Sequence, residues 1–383
     1  MAWFIGLMSG TSLDGVDGVL AQTADATPAP LAETGRTAVA RLVSRAHAHV
    51  AFHTDLKAEL LALNRSGADE LHRAAVAANA LMETYAQVVG LLLQQAHLVA
   101  SDVVAVGAHG QTVRHRPGEF DGHGYTLQLM NGALLAELTE IAVVCDFRSR
   151  DVAAGGQGAP LVPAFHASCF ARTGVHVAVL NVGGIANLTL LGPKGEVLGF
   201  DTGPGNLLMD LWIQRHLGRP FDSDGAWAAG GQVQSRLLAG LLTEPYLQRS
   251  PPKSTGRDLF DERWLNPHTA DYNTAPQDVM ATLTEFTAIT VAQALQRHAS
   301  ACTDLLVCGG GAFNAHLMSR LAALVGIGTR VQSTAAKGLP ADQVEAMAFA
   351  WLACAHIAGS AGNLPAVTGA RGPRVLGAYH PSA

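Results

Sequence analysis

Trp3-Phe4-Ile5-Gly6-Leu7-Met8-Ser9-Gly10-Thr11-Ser12-Leu13-Asp14-Gly15-Val16-Asp17-Gly18-Val19-Leu20 opens with an apolar run, breaks in a glycine and hydroxyl turn, and returns in an alternating run. That pattern predicts a β-hairpin. Gly10 and Gly15 allow backbone geometries closed to other residues, so the turn's N–H groups can converge on an anion, with Thr11 and Ser12 adding hydroxyl donors. Asp14 and Asp17 would repel a bare phosphate unless a divalent cation or water stood between. The stretch reads either as a nucleotide–metal turn or as an ordinary Gly/Asp hairpin.

The same order of strand, glycine turn and strand recurs at Val175-His176-Val177-Ala178-Val179-Leu180-Asn181-Val182-Gly183-Gly184-Ile185-Ala186-Asn187-Leu188-Thr189-Leu190-Leu191. An echo half a chain away predicts two related domains, each presenting a glycine hairpin to a shared cleft. Residues 1–160 form the first domain in this reading and 161–383 the second, with the last helix packing back on the first as a variant.

Between the hairpins, apolar residues at three- and four-residue steps predict a helix over 69–97, from Leu71 and Ala75 to Val89 and Leu92. A buried strand at 103–107 runs into His109-Gly110-Gln111-Thr112, and another at 142–145 into Asp146-Phe147-Arg148-Ser149-Arg150-Asp151 and a glycine loop. Polar residues just past strand ends are where open α/β sheets place ligand contacts. His109, Gln111 and Thr112 are therefore candidate substrate contacts, Arg148 a clamp for a carboxylate or phosphate, and Asp151 a partner for hydroxyls. A hydrogen-bonded core histidine and a charged surface loop are the plainer readings of the same residues.

In the second half, Asp201-Thr202-Gly203-Pro204-Gly205-Asn206 ends a strand and starts a helix, which places Asp201 as a general base or as a cap. The loop at 251–258 carries cations to a phosphate or lies on the surface. Gly309-Gly310-Gly311, followed by Asn314, joins a strand to a helix and lets a flat or anionic ligand approach the backbone. Its spacing is not that of a dinucleotide fold. A helix over 341–358 carries an apolar stripe that reads as core.

Length and composition agree with a two-domain enzyme: 383 residues, 49% of them hydrophobic, 15% charged and 41 of them glycine. A net charge of −6 without a basic block argues against nucleic acid or an anionic membrane as partner. Cys145, Cys169, Cys302, Cys308 and Cys354 are scattered, so free and mostly buried thiols are expected. No basic leader and no apolar stretch of membrane-spanning length is read, which predicts a soluble intracellular protein. A homodimer is the default expectation.

Taken together, these motifs resemble the sugar kinase, heat-shock chaperone and actin ATPase superfamily. More specifically, residues 6–17, 109–112, 181–187, 199–206, 251–257 and 308–314 are similar to the anhydro-N-acetylmuramic acid kinase family. The resemblance covers nearly the whole chain in the right order, and implies two ribonuclease-H-like (actin-like ATPase) α/β domains facing a central cleft. It further implies a cytoplasmic bacterial enzyme of peptidoglycan recycling that uses ATP and water to open a 1,6-anhydro ring while phosphorylating O6, a phosphoryl transfer whose charge Mg2+ is expected to neutralise.

The family's ATP-binding motif carries over onto Gly10, Thr11, Ser12, Leu13, Asp14, Gly15, Val16 and Asp17, and its catalytic base onto Asp201. Gly183, Gly184, Gly203, Gly205, Asn206, Gly309, Gly310, Gly311 and Asn314 complete the expected nucleotide contacts. Two other functions share the superfamily's fold: a kinase for another hexose or N-acetylhexosamine, and an ATPase switch acting on a protein partner.

Overall fold

A computed structural model of the chain describes residues 1–10, 13–24, 39–256, 259–270 and 274–382. In chain order the strands are β1 (Trp3–Met8), β2 (Gly15–Thr23), β3 (Leu42–Ala51), β4 (Val103–Ala108), β5 (Gln111–Pro117), β6 (Gly124–Leu129) and β7 (Val143–Cys145). There follow β8 (Val177–Val182), β9 (Ile185–Leu191), β10 (Val197–Pro204), β11 (Asp304–Cys308), β12 (Arg330–Ser333) and β13 (Ala378–His380). They divide between two compact units, Met1–Cys169 with Gln343–Ala383, and Phe170–Asp342.

The first unit's main sheet runs β13-β7-β4-β1-β2-β3 and the second unit's runs β10-β9-β8-β11-β12. In each, a three-strand antiparallel meander is extended from its first strand by two parallel strands. This shared ribonuclease-H-like order is the structural form of the sequence echo. The predicted hairpins are β1–β2, with Met8 opposite Asp17, and β8–β9, with Val182 opposite Ala186.

Successive residues of β1 face opposite sides of the sheet. Ile5 and Leu7 pack, with Val16 and Leu20, against Leu81, Met82, Tyr85, Val88 and Leu92 of helix Glu70–Ala96. That helix is long and apolar enough to cross a membrane, contrary to the sequence reading; half of its most apolar window is buried within the protein. Leu71 and Ala75, placed on its apolar face by spacing alone, are exposed.

Gly6 faces the other side, paired with Gly107 of β4. A Cβ on Gly6 would lie 1.9 Å from Ala346 O, and one on Gly107 2.0 Å from Phe349 O. Two neighbouring glycines thus let helix Val344–Ile357 lie with its backbone against the first unit's strands. Residues 343–383 accordingly belong to the first unit, the arrangement of the variant in which the last helix packs back on the first domain. Covered by the sheet on one side and by Phe165, whose ring is 6.3 Å from Trp351, on another, the helix is buried around almost its whole circumference.

In the second unit, Leu180, Leu188 and Phe200 pack with Leu208 and Ile213 of helix Leu207–Leu217 and with Met280, Leu283 and Phe286 of helix Pro276–His298. All five cysteines are free thiols, four of them buried.

Candidate active site

The first hairpin turn is fastened from below. Ser9 is buried, and its Oγ donates to Gly110 O at 3.0 Å and lies 2.9 Å from the Tyr85 hydroxyl. Thr11 and Ser12 lie outside the described residues. Leu13 is the left-handed residue of the turn, with φ 58°, and its side chain is buried, as is that of Val16. Gly15 answers a close approach, since a Cβ there would stand 2.3 Å from Val50 O. Asp14 is exposed, whereas Asp17 sits on β2 with its Oδ1 3.1 Å from His49 Nδ1 and 3.4 Å from His47 Nε2.

From the end of β4, a buried polar chain reaches that turn. His109 Nδ1 is 3.2 Å from Ser9 O, and its Nε2 receives Arg148 Nη2 at 2.9 Å and Nε at 3.2 Å. A guanidinium only donates, so Nε2 is the acceptor and the Nδ1–H donates to Ser9. Burial, reinforced by the Arg148 charge, pushes the His109 pKa down to about 3, so the ring is neutral. Arg148 Nη1 donates to Gly158 O at 2.9 Å, and burial lowers the guanidinium to about 10. One N–H on each Nη remains uncommitted among the described contacts.

The Asp151 carboxylate is enclosed by protein donors. It is fully buried, accepts Gly158 N–H on Oδ2 at 2.8 Å, and accepts Asn363 Nδ2 at 2.6 Å and Thr368 Oγ1 at 2.8 Å on Oδ1. These three bonds tie the glycine loop to the C-terminal segment. Gln111 Nε2 donates to Gly10 O at 3.2 Å, leaving Oε1 a buried acceptor with no partner among the described residues. Thr112 accepts from Gln128 Nε2 at 3.3 Å. The structure therefore joins Ser9, His109, Arg148, Gly158 and Asp151 in one network, of which sequence reading had found three members.

In the second unit, three strand ends converge on the β8–β9 turn. Asn206 N–H donates to Gly183 O and Gly205 N–H to Gly184 O, both at 2.8 Å, while Asn206 Nδ2 donates to Val182 O at 3.1 Å. Gly309, with φ 75°, approaches so closely that its Cβ would lie 2.3 Å from Asn181 Oδ1, itself a buried acceptor without a partner among the described residues. Gly310 lies over Asn206 Nδ2, and Gly311 against Val182. At Gly183, by contrast, a Cβ would meet nothing nearer than 3.8 Å, so protein packing does not require the glycine there. Asn314 acts as a helix cap, its Oδ1 accepting Leu317 N–H at 2.9 Å.

Asp201 lies beside this cradle at an irregularity in the β9–β10 pairing that falls between Asp201 and Gly203 and re-aims the strand. Its Oδ1 accepts Asn187 Nδ2 at 2.8 Å and its Oδ2 accepts Thr255 N–H at 2.9 Å. Tyr246 OH donates to Asp201 O at 2.9 Å, and Asp201 N–H to Lys253 O at 3.2 Å. Burial raises the Asp201 pKa above the ordinary carboxylate value against the pull of Asn187, Thr255 and Lys253. Of these partners, Thr255 and Lys253 come from the 251–258 loop, which sequence alone left as a surface loop or a phosphate contact; Tyr246 carried no sequence signal.

Among the described residues, no three His, Cys, Asp or Glu side chains are grouped to hold a metal ion. Asp14, at the first hairpin turn, is exposed and carries a carboxylate of the kind a hydrated divalent cation takes as a single protein ligand.

A family model described as anhydro-N-acetylmuramic acid kinase matches residues 2–382. Curated proteins of that name from Variovorax paradoxus and Bordetella petrii are 59% and 58% identical to the chain; each alignment covers 99% of the chain, with 99% and 96% of the relative's length. Among solved structures, the chain is similar to an activator of 2-hydroxyisocaproyl-CoA dehydratase from Clostridium difficile with bound ADPNP, at TM-score 0.46 and 12% identity, covering 92% of this chain and 94% of that one. On the full-length family match and the identity to its curated members, the chain belongs to the anhydro-N-acetylmuramic acid kinase family.

Proposed function

We propose that this kinase uses ATP and water to open the 1,6-anhydro ring of anhydro-N-acetylmuramic acid while phosphorylating O6, giving N-acetylmuramic acid 6-phosphate and ADP. One observation supports the reading: a half-buried carboxylate, Asp201, held on both oxygens by Asn187 and Thr255 and raised in pKa by desolvation, beside the glycine cradle of the same unit. That is the environment of a general base rather than of a cap.

The chemistry couples two displacements. Water attacks C1 as the C1–O6 bond breaks, Asp201 takes the water proton, and the electron pair left on O6 accepts the γ-phosphoryl group as its bond to ADP breaks. An inverting glycosidase uses a carboxylic acid to protonate the leaving oxygen; here the phosphoryl group takes that place, so one carboxylate suffices and C1 inverts. Phosphoryl transfer needs chiefly positioning and charge neutralisation. Backbone N–H groups around Gly10–Gly15 and Gly183–Gly184 would hold phosphates, and Asp14 would hold Mg2+, which supplies electrostatic stabilisation of the transferring group.

Within the first unit, Arg148's two uncommitted N–H groups suit a sugar carboxylate, and the unpartnered Gln111 Oε1 suits a hydroxyl. His109 and Thr112 belong to the same proposed sugar site, with Asp151 as a brace. A cytoplasmic homodimer accompanies the reading, and light scattering of the purified protein measures its mass.

The test is ADP release with Mg-ATP and 1,6-anhydro-N-acetylmuramic acid, beside N-acetylmuramic acid and N-acetylglucosamine, for the native protein and Asp201→Asn. Turnover confined to the anhydro sugar and lost in the variant supports substrate and base together. Turnover on a reducing sugar instead assigns an ordinary sugar kinase.

A further inference from the structure

Thr255 meets Asp201 through its backbone N–H, and its hydroxyl has no such work to do. Its N–H donates to Asp201 Oδ2 at 2.9 Å, while its hydroxyl, three bonds away on the same residue, is buried with no hydrogen-bond partner among the described residues. A buried hydroxyl left unpaired is costly, so such groups usually mark an absent partner. A bound water poised for attack has a complementary need. One of its protons goes to the base and one lone pair to carbon, and unless its second O–H is also fixed the water turns freely.

We propose that the Thr255 hydroxyl is a further catalytic group, which holds the second O–H of the nucleophilic water while Asp201 takes the first. The proposal rests on the reading of Asp201 as base. In the step itself the water O–C1 bond forms, the C1–O6 bond breaks, one water proton passes to Asp201, and the other stays on the new C1 hydroxyl, donated to Thr255 Oγ1 throughout. Thr255 gains and loses no proton; it fixes the lone pair toward C1. The rigid Pro251-Pro252 segment and the Lys253 ammonium, bonded to Tyr246 O at 3.3 Å and Leu247 O at 3.2 Å, hold the loop that carries it.

Thr255→Val keeps the shape and the N–H but removes the hydroxyl, and Thr255→Ser restores it. With Mg-ATP and the anhydro sugar, the valine variant is expected to lose roughly tenfold in kcat, the rate equivalent of one hydrogen bond, with both KM values within about twofold. Serine recovers most of that loss. The acidic limb of the kcat/KM profile, set by Asp201, stays in place in both variants, because the amide bond to Oδ2 is intact.

Valine at native kcat would overturn the proposal. So would a valine defect that serine does not repair and that comes with a displaced acidic limb, since that is the mark of a moved loop acting through Asp201. Asp201→Asn, run alongside, separates the two ideas: if it retains native turnover the base assignment has failed, and if it collapses while valine is unaffected only the role of Thr255 has.

Discussion

Asp151→Asn tests whether the buried chain from the C-terminal segment to the first hairpin turn is a supporting structure. The amide is nearly isosteric with the carboxylate, but its nitrogen must face either Gly158 N–H or the Asn363 and Thr368 side chains. Neither choice is satisfied. Gly158 is a backbone donor; Thr368 can turn its hydroxyl to accept, but Asn363 cannot, because its Oδ1 already receives Arg374 N–H at 2.7 Å.

At least one hydrogen bond to a fully buried charged acceptor is lost and its donor stranded, at a cost of about 2–4 kcal/mol. For a unit of this size that is a fall in Tm of roughly 5–15 °C. Because Gly158 O also receives Arg148 Nη1, the KM for the anhydro sugar should rise while ATP affinity holds. Thermal unfolding by circular dichroism and calorimetry, with initial rates at varied sugar, measures both. Asp55→Asn, at a side chain 93% exposed, is the control and should lie within about 0.5 kcal/mol of the native protein. A Tm for Asp151→Asn within 2 °C of the control would refute the brace.

Other outcomes follow from the same geometry. Since burial raises the Asp201 pKa, kcat/KM should fall as pH drops through a value above the ordinary carboxylate near 3.9, and Asp201→Asn should remove that limb with a ~10²–10⁴-fold loss of rate. His109 is neutral in the folded state, with a pKa of about 3 against 6.5 unfolded, so its contribution to stability is complete above pH 6.5 and is lost as pH falls toward 3. His109→Gln should flatten that acid-side slope in urea titrations, leaving the part due to His115 and His166, which burial also lowers. Gly6→Ala, whose Cβ meets a helix carbonyl at 1.9 Å, should cost at least ~1–3 kcal/mol. Gly183→Ala, with open space at its Cβ, should keep its Tm and lose ATP affinity by calorimetric titration; equal losses of stability would show that Gly183 is a packing residue.

What the sequence by itself determined is local in origin. Alternation, apolar runs and glycine turns are set by residues within a few positions of one another, so the two hairpins, the strands before His109 and Asp201, and the long helices were legible in outline. Because the pattern at 3–20 recurs at 175–191, so was the pairing of two like sheets. The catalytic candidate Asp201 was legible as a strand-end carboxylate beside glycines.

Only the tertiary structure decided what those residues touch. Asp151 reads as a free strand-end carboxylate until Asn363 and Thr368, more than 200 positions on, are folded onto it. Nothing in its neighbours marks that burial. Helix Val344–Ile357 joins the first unit because Gly6 and Gly107, far apart in the chain, come into register and clear a strip of sheet for it. Thr255 acquires its place at Asp201 in the same way. Hydrogen bonding and close packing act on distance in space, and a sequence pattern reports only distance along the chain.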